Sequence, residues 1–102
     1  MTREALRALG DRIGDAVLDH VDGVAHVRAQ SDRRGVRERT THVGLHVRVG
    51  DWQTGGAATI EGHDRAAATA KALASMRARL AARAVWCEQM GRACRAALEV
   101  LP

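Results

Sequence analysis

Hydrophobic residues at the start of the chain recur at three- and four-residue steps. Leu6, Leu9, Ile13 and Val17 fall on one face of a helix predicted over residues 3–20. Thr2 is placed to cap it, Glu4 and Asp11 lie toward its front, and Asp22-Gly23 ends it. Gly10 and Gly14 each lower helix propensity by about 1 kcal/mol, so this helix depends on packing. The period then changes to two. Strands are predicted over Val24–Gln30, Thr41–Val49 and Ala57–Glu61. In the middle one Val43, Leu45, Val47 and Val49 point one way, and His42, His46 and Arg48 the other. One sheet face therefore meets a core and the other, with His26, Arg28, His42, His46, Arg48 and Thr59, meets water.

Between the first two strands, residues 31–39 read as a polar loop with four arginines. Residues 50–56 read as a hairpin connection rich in glycine. From Arg65 the period returns to that of a helix, with Asp64 as its cap. Thr69, Leu73, Met76, Leu80, Cys87, Met90, Cys94 and Leu98 form one stripe, and Arg83 occupies the position that would complete it. An unbroken helix over that span is about 50 Å long at about 1.5 Å per residue. A small sheet cannot cover that length. The helix either breaks near Gly91 or projects from Trp86 onward and packs on something else. The expected fold is α+β: an antiparallel three-stranded sheet with two helices on one face, in the order αβββα. Residues 1–84 would form the domain and residues 85–102 a helical extension, within it or at an oligomer contact.

At 102 residues the chain suits one domain. Twenty alanines match the twenty Leu, Ile and Val residues, so the core is expected to be thin. No apolar run spans a membrane and no signal peptide precedes the charged start, which points to a cytoplasmic protein. Two cysteines make no disulfide framework, and Cys87 and Cys94 stand about 10 Å apart on one helix. Buried thiols beside Met90 and a contact across a dimer both fit that spacing.

The net charge is +4, and arginine supplies 15 of the 16 positive groups. A GC-rich coding sequence produces the same Arg and Ala bias, so the distribution tells more. Residues 1–52 balance nine arginines against eight acids. Residues 65–95 hold seven basic groups against Glu88 alone, a candidate phosphate footprint.

Catalytic and metal chemistry find no residues to carry them. His42 and His46 would stand about 13 Å apart on a strand, too far for one ion. Ser31 and Ser75 lie in no nucleophile elbow, and no Gly-Lys-Ser/Thr follows Gly55-Gly56. No enzyme, cofactor or small-molecule substrate is expected. Trp52 and Trp86 are the only aromatics by the Phe, Tyr and Trp count, which excludes a stacked sheet platform and leaves recognition of the RNA backbone.

The stretch Glu61-Gly62-x-Asp64-x-x-Ala67-Ala68, followed by Leu73, Met76 and Leu80, resembles the last strand and second helix of the ribosome hibernation-promoting factors, the Y-family of ribosome-associated inhibitors. Glu4-Ala5-Leu6-Arg7 looks like the start of that family's first helix, and the similarity covers roughly residues 3–84. The resemblance implies binding of small ribosomal subunit RNA in the channel used by mRNA and tRNA, with inhibition of translation. Its RNA contacts would fall on Arg3, Arg7, Arg12, Arg65, Lys71, Arg77, Arg79 and Arg83. Some of the family's basic helix positions fall instead on Ser75, Ala78 and Ala82. The family domain also has a strand before its first helix. With three strands, an edge is left for residues 85–102 to cover, unless they serve a dimer. The competing expectation is a protein-interaction module, a possible homodimer joined through the 69–98 stripe with Trp86, Cys87, Met90, Cys94 and Leu98 at the contact.

Overall fold

The computed structural model describes residues 1–35, 37 and 39–100, apart from the side chains at positions 90–92, 94 and 95. The order is α1 (Arg3–Leu18), β1 (Ala25–Arg34), β2 (Thr40–Val49), β3 (Trp52–Glu61) and α2 (Arg65–Val100). The strands form one antiparallel sheet, β1-β2-β3, with both helices packed on one face.

Strand alternation sets the inner face as rows of three. Val27 pairs with Val47 and Val47 with Thr54; Ala29 pairs with Leu45 and Leu45 with Gly56. Against these rows pack Leu6 from α1 and Ala68, Ala72 and Met76 from α2, all buried. Among the described residues, three of the nine buried apolar ones are alanines, so the core is thin and relies on close approach of backbones.

Glycine provides that approach. A side chain on Gly56 would meet the backbone carbonyl of Ala72 and stand 2.9 Å from the backbone nitrogen of Met76. The α2 backbone thus lies directly on β3. Gly10 does the same for α1, where an added Cβ would strike Val27 and come 3.0 Å from Leu45 Cδ1. Gly10 and Gly14 are buried and Leu9, Ile13 and Val17 only half-buried, so the contact face of α1 centres on Leu6 and its glycines.

Two strand boundaries differ from expectation by more than one residue. β1 continues through Arg34, because Ser31, Asp32, Arg33 and Arg34 find ladder partners in Val43, His42, Thr41 and Thr40. The connection after β2 shrinks to Gly50-Asp51, with Val49 paired to Trp52. Trp52–Gly56 is therefore strand, and Gly50 adopts the positive φ of 57° that the turn needs. α1 ends at Leu18, two residues earlier than expected.

α2 is one helix of 36 residues, unbroken at Gly91. Gly56 sits under Ala72 and Met76, while Arg83 reaches Gln53 and Trp52, so α2 runs antiparallel to β3. Met76 is its last buried residue and Leu80 its last half-buried one among the described residues. Beyond Arg83 the helix leaves the domain near the β2–β3 turn, stretching the molecule to 66 × 24 × 18 Å. Its described residues beyond Arg83 are all exposed and cover no sheet edge. Trp86 is 58% exposed, and Cys87 and Leu98 are exposed as well. The other two stripe positions, Met90 and Cys94, lie outside the described residues.

Candidate nucleic-acid interface

All eight cationic positions expected at an RNA contact are solvent-exposed. They do not form one patch. Arg7 and Arg12 point about 140° apart around α1 at 3.6 residues per turn. The three arginines of this helix (Arg3, Arg7 and Arg12) share it with Glu4, Asp11 and Asp15. Its field is close to neutral beyond a Debye length of about 10 Å.

α2 is different. From Arg65 to Arg83 it carries Arg65, Lys71, Arg77, Arg79 and Arg83 and no acid. At about 100° per residue, Lys71 and Arg77 stand about 120° apart, and Arg77 and Arg79 about 160° apart. The charges therefore ring the helix. Arg77 lines an apolar groove of about 790 Å³ between the helices, with Leu9, Ile13, Leu73 and Leu80.

Arg79 and Arg83 turn the other way, around the edge of β3. Arg83 donates from Nη1 to the carbonyl oxygen of Gln53 at 2.6 Å, and its guanidinium stands 5.8 Å from the centre of the Trp52 ring. These contacts pin the helix to the strand and occupy part of the guanidinium's donor fork. Arg79 passes the edge where β3 is thinnest, at Gly55-Gly56-Ala57. It reaches a trough of about 300 Å³ on the open sheet face, shared with Arg28, Gln30, His42, Gly44 and His46.

The sheet register builds that trough. Gln30, Gly44 and Ala57 form one outer row, flanked by Arg28, His46 and Gly55 on one side and Asp32, His42 and Thr59 on the other. Gly44, Gly55 and Ala57 leave a low floor. The two imidazoles are held at its sides: His42 Nδ1 lies 2.8 Å from Thr59 Oγ1, and His46 Nε2 lies 3.2 Å from Gln53 Oε1. Asp32 is paired with Arg34 at 3.2 Å. Arg28 and Arg79 have no hydrogen-bond or ion-pair partner among the described residues.

Alternation puts Arg28 and Arg48 on the open sheet face, but the convergence of Arg28 with Arg79 follows only from the packing of α2 on β3. Among the described residues, no three His, Cys, Asp or Glu side chains are grouped as metal ligands would be. No described helix is long and apolar enough to cross a membrane. Comparison with protein-family models, curated proteins and solved structures finds no match.

Proposed function

We propose that this protein binds small ribosomal subunit RNA and obstructs the channel used by mRNA and tRNA, as its resemblance to the hibernation factors implies. The observation that carries the reading is the acid-free cationic stretch of α2. Five basic side chains stand exposed between Arg65 and Arg83, and they ring the helix rather than line one side. A flat duplex would meet a single stripe, whereas a body inside an RNA-walled channel meets phosphates from several directions. The mechanism is occlusion, with the arginines and Lys71 holding phosphates by charge.

Co-sedimentation with purified small subunits across a salt series tests this reading. Binding is expected to fall steeply with salt and to be lost on subunits saturated with tRNA. Replacing Arg65, Lys71 and Arg77 together by Ala should lower the log–log salt slope by about 2, since each phosphate contact accounts for 0.7–0.9 of it. Arg83 is kept because it anchors α2. No sedimentation at low salt, or an unchanged slope in the triple variant, rejects the reading.

A second reading rests on a separate observation. α2 extends 17 residues past Arg83 with Val85, Trp86, Leu98 and Val100 exposed. A lone helix of that length is marginal in water. We propose that this segment packs against a second copy, which is compatible with RNA binding. Trp86 emission should then shift to the red on dilution through the dissociation range, while an emission maximum independent of concentration argues for a monomer.

A further inference from the structure

The open face of the sheet is the part of the molecule that the channel reading leaves without a role. Its trough carries two arginines. Arg28 enters from β1, His42 and His46 from β2, and Arg79 from α2 around the edge of β3. Of the two acids of this face, Glu61 belongs to its other end, while Asp32 stands across the ladder from His42 with its carboxylate paired to Arg34. Two unpaired guanidiniums over a low floor call for an anion with a flat body attached.

The floor and walls specify that body further. Gly44 and Gly55 expose backbone where other strand positions carry side chains. A Cβ built on Gly44 would sit 3.4 Å from His42 Nε2, and one on Gly55 would sit 3.3 Å from His46 Cδ2. Both rings therefore lean over glycines, and Thr59 and Gln53 hold them there. A count of Phe, Tyr and Trp misses these imidazoles, yet histidine rings and arginine planes both stack on unpaired bases. Gln30 lies across from Gly44 in the ladder, with an amide able to donate and accept at a base edge.

An extended peptide fits this site poorly. Gly44 belongs to the central strand and has ladder partners on both sides, so no free backbone is presented for a peptide to join.

Building on the RNA reading, we infer that the open sheet face holds one unpaired nucleotide of an RNA strand. The base lies on the Gly44–Gly55 floor between His42 and His46, and the phosphate lies between Arg28 and Arg79. The site is separate from the Arg65, Lys71 and Arg77 surfaces, so one chain engages structured RNA with its helix and a single-stranded segment with its sheet.

The test fills the floor without removing a charge. Gly44 does not have positive φ, and a Cβ there would meet neighbours at ordinary van der Waals distances, so Gly44→Val suits the strand. Arg28→Gln is the companion variant, since Arg28 has no partner among the described residues. Binding of the full chain to labelled oligouridylate and oligoadenylate of about six nucleotides is read by fluorescence anisotropy, with a blunt RNA duplex as control.

The full chain should bind at least one of the two oligonucleotides. Each variant should weaken that binding about tenfold or more, the usual worth of a stacked base or a lost phosphate contact, while duplex affinity stays within about twofold. Failure of the full chain to bind either oligonucleotide overturns the inference. So does oligonucleotide affinity that Gly44→Val leaves unchanged, or an equal loss on oligonucleotide and duplex. The ribosomal reading fails separately. If subunits are not bound while the oligonucleotide is, and Gly44→Val weakens it, that reading falls and the nucleotide site stands.

Discussion

Gly56 shows how much one residue can carry in a thin core. The α2 backbone rests on it, with Met76 N 2.9 Å from where a Cβ would be. Most overpacked sites relax by moving a side chain, but here the obstruction includes the carbonyl of Ala72 and the nitrogen of Met76. Relief requires the helix to lift off the sheet, loosening Ala68, Ala72 and Met76 together. Gly56→Ala should therefore cost about 2–3 kcal/mol, at the upper end of overpacking penalties. Chemical denaturation would show this as a lower midpoint with the slope retained. A midpoint equal to that of the parent chain would mean that α2 sits farther from β3. Gly44, on the same sheet but facing outward, has room for a Cβ. The contrast separates a packing glycine from one that shapes a surface.

At the scale of elements, α2 divides into two lengths that differ in packing. Up to Arg83 it is held by the sheet, through buried Ala68, Thr69, Ala72 and Met76 and then by Arg83 on Gln53 and Trp52. Past that point the described residues make no contact with the core. Ending the chain after Ala84 should therefore leave Tm within about 5 °C of the parent when both are measured at low concentration, because no core residue is removed. The same truncation should abolish any rise of Tm with protein concentration, which association through the distal helix would produce by mass action. A large fall in Tm at high dilution would place the distal helix among the elements that hold the domain. The hairpin β2–β3 is as compact as a hairpin becomes, with two turn residues, and this sets the point where α2 leaves the sheet.

For the whole molecule, the relevant property is where its charge is concentrated. The net charge of +4 is modest, yet α1 is neutral while α2 is acid-free from Arg65 to Arg83. The helical side presents a cationic rod beside a neutral one, with an apolar groove between them. The sheet side presents a cationic trough fed by Arg79, a residue that belongs to the helix. The proposed RNA binding on both sides would give two salt dependences, a steep one for structured RNA and a shallower one for a short single strand that makes fewer phosphate contacts.

Much of this architecture was legible in the sequence. The period of two in Thr41–Val49 and the three- and four-residue steps in both helices follow from how side chains alternate around a strand and a helix. Local patterning of that kind survives in any fold that buries one face, so the order αβββα and the α+β class could be read directly. The acid-free stretch of α2 was equally visible, since charge is a property of residue type. Element ends were not. β1 extends through Arg34 and β3 begins at Trp52 because the neighbouring strand offered ladder partners to Ser31–Arg34 and to Gly55 and Gly56, whose residue types are mostly not strand formers. The role of Gly10 was hidden for a related reason: a glycine lowers helix propensity wherever it stands, and only a strand pressed against it turns that cost into close packing. Arg79 and Arg83 read as two more cations on a helix. Only the packing of α2 on a strand thinned by Gly55, Gly56 and Ala57 sends one across the sheet edge to Arg28 and His46 and fixes the other on Trp52, because long-range proximity is a property of the fold and not of the local sequence.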